Sequence, residues 1–101
     1  MVFVALFSFR EGQPVEKGLE AYVRRTRWQY PAAIRVIGDY WRIGAAKSPE
    51  IVLIFEADDA GAIMSVTDSW SDVFEVDVTP AIIAEEGIRL MAQSMQTAPA
   101  G

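Results

Sequence analysis

A chain of 101 residues and 11.2 kDa holds one domain, and a folded monomer of that mass leaves about 5,700 Å² of surface accessible to water. Hydrophobic residues make up 51% of the chain and charged residues 23%, a globular composition that excludes a disordered polymer. Nine basic against fourteen acidic side chains leave a formal charge of −5, which argues against nucleic acid or an anionic membrane as partner, and no segment is apolar for long enough to span a bilayer.

In chain order, Val2 to Phe9 is apolar at nearly every position and rich in β-branched and aromatic residues, the pattern of a central strand covered on both faces. No basic residue precedes it and no small-residue cleavage site follows, so it does not read as a signal peptide. Arg10 to Gln13 is a turn, and Pro14 suits the first position of a helix. Val15, Leu19, Tyr22, Val23, Thr26 and Tyr30 then recur at helical spacing and mark an inner stripe. Glu20 and Arg24 have the i,i+4 spacing of an ion pair, arginines gather at the C-terminal end, and Pro31 closes the helix.

Ile34 to Ile43 reads as a second strand in which Gly38 marks a bulge, and Gly44 to Pro49 as the turn into a third strand, Ile51 to Ala57. Asp58 or Asp59 caps a second helix whose inner face carries Ala60, Ile63, Met64, Thr67 and Trp70. In the fourth strand, Val73 to Val78, the residues Phe74, Val76 and Val78 point one way and Glu75 and Asp77 the other. Thr79-Pro80 is an N-cap followed by proline, so a third helix is expected there, with Ile82, Ile83, Leu90, Met91 and Met95 on its buried side. Residues 1–95 form the domain and 96–101 a flexible tail.

That β-α-β-β-α-β order plus a terminal helix folds, through right-handed crossovers, into the α+β ferredoxin-like arrangement: a four-stranded antiparallel sheet with both main helices on one face. The other face is not polar. It carries Val2, Val4 and Leu6 or Phe3, Phe7 and Phe9, according to the parity of the first strand. An exposed apolar face of that size is an aggregation hazard, relieved if two sheets pack in an isologous homodimer or if the C-terminal helix folds back over it. With these features the chain resembles the dimeric α+β barrel superfamily, and within it a small uncharacterised family of unknown function. The likeness is clearest in Trp70-Ser71-Asp72-Val73-Phe74-Glu75-Val76-Asp77-Val78-Thr79-Pro80. The resemblance implies a shared barrel between two sheets. Haem-dependent members of such barrels use His or Asn near the haem, and this chain has neither. Cofactor-free monooxygenase members, which place Trp, Tyr and Arg around activated aromatic substrates, are more compatible.

Candidate chemistry is limited by composition. Without Cys there is no disulfide, thiolate nucleophile or zinc ribbon, and without His the usual base at neutral pH is missing. Asp58-Asp59, Glu75, Asp77 and Glu85-Glu86 offer oxygen ligands for Mg²⁺ or Ca²⁺, but no loop has ligand-like spacing and both acidic pairs stand at predicted helix N-termini. No cofactor or metal is therefore expected. Glu75 and Asp77, two apart on one strand, project from the same face about 7 Å apart. With Glu56 on a neighbouring strand they could form a buried acidic group in which one raised pKa yields a general base. The plainer reading is that charges on an edge strand block edge-to-edge association. Arg42, like Arg35, stands near Tyr40 and Trp41, a clamp for a planar anionic or enolic ligand or a set of neutralising partners for Asp39, Glu75 and Asp77. Trp28 and Trp70 end the two helices, as core plugs or as ligand contacts. The expectation is a cytoplasmic homodimer that binds a small, largely apolar molecule. A cofactor-independent monooxygenase or isomerase acting on an aromatic or enolic acid is the enzymatic alternative, and a purely structural dimer the third.

Overall fold

In the computed structural model, which describes residues 1–44 and 47–97, the alternating and helical patterns resolve into four strands and three helices. β1 (Val2–Phe9), β2 (Arg35–Trp41), β3 (Ile51–Glu56) and β4 (Phe74–Ala81) form one antiparallel sheet in the order β2-β3-β1-β4. α1 (Val15–Arg27) crosses from β1 to β2, α2 (Ala60–Trp70) from β3 to β4, and α3 (Ala84–Thr97) follows β4. This is the ferredoxin-like fold with a terminal helix. The bulge comes where Gly38 suggested it: Val36 pairs with Phe55 and Gly38 with Ile54, leaving Ile37 as the extra residue.

One parity of each strand turns toward α1 and α2. Ala5 and Phe7 of β1, Ile51, Leu53 and Phe55 of β3, and Phe74 of β4 are buried there with Val66 and Trp70 of α2. Phe74 meets Phe7, Phe9 and Trp70 edge-on, with ring centroids 5.8, 6.1 and 6.0 Å away. Each large side chain so buried contributes about 1.5–3 kcal/mol. Asp59 is the cap of α2, its Oδ1 accepting from the Ala62 N–H at 2.8 Å.

Both crossover helices are rotated from the faces their patterns suggested. On α2 the buried residues are Ala62, Val66 and Trp70, while Ala60 and Met64 are exposed. The change on α1 is larger. Ala21 and Arg25 are its buried residues, and Val15, Leu19 and Val23 face outward. Two local causes fix that rotation. Gly18 lets the helix settle against Phe9, since a Cβ there would come within 3.1 Å of the ring. Arg25 then reaches Asp39 of β2 at 2.8 Å. Pro14 is the N-cap rather than the first helical residue, and α1 stops at Arg27, before Pro31. Arg24 bonds Asp72, at 2.9 Å, in place of the expected pairing with Glu20.

The third helix departs most from expectation. It does not begin at Thr79-Pro80, because β4 continues through those residues, pairing Thr79 with Val4, Pro80 with Phe3 and Ala81 with Val2. Proline is tolerated there because β4 is an edge strand, with a ladder on one side only. α3 starts at Ala84, and none of its described side chains is buried. Ile82, Ile83, Leu90, Met91 and Met95, expected to be buried, are all exposed. The radius of gyration is accordingly 16.7 Å, against about 13 Å for a compact chain of this length. α3 runs into the stretch expected to be a tail, of which residues 98–101, like Ala45 and Ala46 in the expected β2–β3 turn, lie outside the described residues.

Candidate functional site

Because the odd residues of β1 and β3 and the even residues of β4 form the core, the opposite parity presents a second sheet face, whose residues are half-buried or exposed and which no helix buries among the described residues. Rows of paired residues cross it. Tyr40, Val52, Leu6 and Asp77 form one row, Gly38, Ile54, Val4 and Thr79 the next, and Arg35, Glu56, Val2 and Ala81 the third. The middle of the face is therefore an apolar strip of Val2, Val4, Leu6, Val52 and Ile54. Tyr40 stands at the β2 edge and the acidic pair at the β4 edge, with Glu75 opposite Ser8.

The candidate residues divide between the two faces. Tyr40, Glu56, Glu75 and Asp77 share the open one. Glu75 and Asp77 are both exposed, so any desolvation that would raise a carboxyl pKa there has to come from something laid over the face. Glu56 is engaged by Arg35, whose Nε donates to its Oε2 at 3.1 Å, and this bond holds the Glu56 carboxyl below its ordinary range. Arg42 follows the end of β2 and donates to the carbonyls of Lys47 and Pro49, at 3.3 and 3.1 Å, so it is tied to the turn. Tyr40 folds its ring over Gly38, where an added Cβ would lie 2.5 Å from it.

The tryptophans lie on the helix side. Trp70 is wholly buried, and Trp28 packs against it with centroids 5.6 Å apart. Trp41 stacks on Tyr22 of α1 at 5.0 Å. These positions make Trp28 and Trp70 core plugs and separate Trp41 from its neighbour Tyr40. Burial, and then the nearby Glu50 carboxylate, push the Tyr22 hydroxyl pKa above its ordinary value.

Two arrangements were not legible beforehand. Arg25 is a buried cation under Trp28 and Trp70. It is paired with Asp39, which also accepts from the Tyr30 hydroxyl at 2.7 Å. Nothing in the helical pattern of α1 distinguished Arg25 from Arg24 or Arg27, because its burial depends on where Asp39 falls across the bulge. The other is a cleft of about 500 Å³ at the end of β1, lined by Ser8, Phe9, Arg10, Glu11, Ser48 and Glu75. In the sequence Arg10 marks only a turn. Its Nε donates to the Ser71 carbonyl at 2.8 Å, which fixes it beside Glu75 in the cleft wall.

Chemically, the open face offers apolar contact, one aromatic hydroxyl and an acidic margin. Among the described residues no group of three or more acidic side chains is placed to hold a metal ion, and no helix is long and apolar enough to cross a membrane. No curated protein and no solved structure matches the chain. A family model described as Domain of unknown function (DUF3303) matches residues 1–95, nearly the whole length, and the chain belongs to that family.

Proposed function

We propose that this chain is a homodimeric, cytoplasmic binding module for a small, largely apolar molecule that is neutral or cationic. One observation carries the reading: the strip of Val2, Val4, Leu6, Val52 and Ile54, which no helix buries among the described residues and which is bordered by Tyr40 on one side and Asp77 on the other. Two such faces packed about 10 Å apart in an isologous pair bury a standard interface of about 1,600 Å². The ligand enters at the acidic margin, where Glu75 borders the cleft. Its charge follows from what the margin lacks. Arg10 of the cleft wall is held by the Ser71 carbonyl, Arg35 by Glu56 and Arg42 by turn carbonyls, while Glu75 and Asp77 remain without an ion pair among the described residues. The cytoplasmic placement rests on the absence of cysteine alone.

The alternative, a cofactor-independent monooxygenase or isomerase acting on an aromatic or enolic acid, needs a cation free to hold the acid, whereas Arg10, Arg35 and Arg42 each already bond the protein, and it has less support for that reason. Thermal melting with a panel of apolar amines, neutral apolar compounds and aromatic acids separates the readings. At least one amine or neutral compound should raise Tm by several degrees, and Tyr40→Ala should weaken that protection without lowering the unliganded Tm. Protection by aromatic acids only would transfer support to the enzymatic alternative. No protection by any compound would end the ligand reading.

A further inference from the structure

α1 and α3 each carry an apolar surface that the fold leaves outside. On α1, Val15, Leu19 and Val23 recur every four residues and form a ridge about 12 Å long. Hollows flank the ridge. One, of about 510 Å³, is lined by Leu19, Glu20, Val23, Arg24 and Arg27, and the other, of about 230 Å³, is floored by Phe9, Gly18 and Tyr22. On α3, a shallow, open apolar groove formed by that helix alone runs past Ala84, Gly87, Ile88, Met91, Ala92 and Met95. The small residues Ala84, Gly87 and Ala92 allow close approach, and the two methionines adapt to the shape of a partner. A ridge on one helix and a groove on another is the complementary condition for helix packing.

We infer that α3 is an exchange arm, which lays its groove antiparallel along the outward ridge of α1 in a second copy of this chain. Three observations select that occupant. The chain exposes 7200 Å², about 1,500 Å² more than a compact monomer of its mass, and two such excesses reach the range of obligate dimers. The charges match in the antiparallel sense. Glu85 lies in the N-terminal turn of α3 and Arg27 in the C-terminal turn of α1, four residues beyond Val23 on the ridge, and neither has an ion pair among the described residues. Finally, an isolated helix of 14 residues is marginal in water, so α3 needs a surface to pack on, and none of its described side chains is buried. The inference concerns the helices and does not rest on sheet pairing or on the ligand.

The absence of cysteine makes the test direct. Leu19→Cys and Met91→Cys, at positions 60% and 66% exposed, are co-expressed on separately tagged full-length chains and mildly oxidised. The expected product is a disulfide joining the two tags, in at least fivefold excess over either homodisulfide. Arg27→Glu should weaken association severalfold, and adding Glu85→Arg should restore it. A dominant Met91→Cys homodisulfide would show α3 pairing with α3 and overturn the inference. So would mixed crosslinking no stronger than that of a control cysteine at exposed Asp68, whether the chain is then monomeric or paired through its sheets alone.

Discussion

Arg25 shows how far one side chain's environment decides its worth. It is almost fully buried, its guanidinium lies 4.7 Å from the Trp28 ring centre, and its one counter-charge is Asp39. Removing one partner of a buried pair leaves the other uncompensated, at a cost of about 3–5 kcal/mol. Asp39 keeps the Tyr30 hydroxyl and some solvent, so Arg25→Met should cost about 3 kcal/mol in urea unfolding. The neighbouring pair of Arg24 and Asp72 has similar geometry but is half exposed, and Arg24→Met should cost under about 1 kcal/mol. Equal losses at the two positions would contradict the burial argument. On the open face, Glu75→Gln removes charge at nearly constant shape. A positioned base contributes about 10²–10⁴ in rate, whereas an exposed edge charge contributes almost nothing to stability. The variant should therefore melt within about 2 °C of the parent, because Glu75 is exposed and forms no ion pair among the described residues.

At the scale of elements, the seating of α1 depends on the small residue at its contact with β1. Glycine in a helix interior ordinarily costs up to about 1 kcal/mol, and replacing it ordinarily helps. At Gly18 the Phe9 ring already lies at the contact limit for a single added carbon. Gly18→Val should therefore destabilise by about 1–3 kcal/mol through overpacking, while Gly18→Ala should stay near neutral as helix propensity offsets the crowding. A clear gain from Gly18→Val in the urea midpoint would show that α1 does not press on Phe9. β4 and α3 form the opposite case. The strand holds its last residues through the ladder with β1, while none of the described side chains of α3 is buried.

For the whole molecule, assembly and pH are the accessible readouts. Val4 sits in the middle of the uncovered strip, flanked by Ile54 and Thr79 in its row. If two sheets pair there, Val4→Asp places a charge between them and should weaken association severalfold in light scattering at micromolar concentration, reaching monomer mass when combined with Arg27→Glu, which loosens the α3 contact. A parent protein of monomer mass would end the pairing proposal. The pH profile follows from the groups with shifted pKa values. Hydrogen bonds from Arg24 and Arg35 lower the pKa values of Asp72 and Glu56. Their stabilisation is present above the ordinary carboxylate range and is lost as pH falls through the lowered values. Tyr22 and Tyr30 have raised values, chiefly through burial, so their contribution is present below the ordinary value of 10.0 and is lost as pH rises through the raised ones. With no histidine, stability should be flat between about pH 5 and 10 and fall on both sides, gently on the acid side because those carboxylates are exposed. A step near neutral pH in thermal melts would reveal a carboxyl group buried by something covering the open face.

The order of elements, the antiparallel sheet and the parity of β4 were all legible along the chain, because they depend on period and on local turn chemistry. Phe74, Val76 and Val78 alternate with Glu75 and Asp77, and Asp59 caps a helix wherever that helix goes. So was the bulge at Gly38, a residue-level signal. The parity of β1 was not, since both of its faces are apolar and only its pairing with β3 and β4 assigns Phe7 to the core and Leu6 to the open face. Nor was the face that α1 buries. Its apolar period is a property of the helix, but its rotation is set by contacts from residues distant in sequence: Phe9 against Gly18 and Asp39 against Arg25. The third helix was misplaced for the same reason. Thr79-Pro80 carries a local helix-start signal, and pairing with Val4 and Phe3, more than seventy residues earlier, outweighs it because each ladder residue adds to an existing sheet while a short helix must nucleate alone. Local chemistry determined which elements form, and only long-range packing decided which of their faces are left over for a partner.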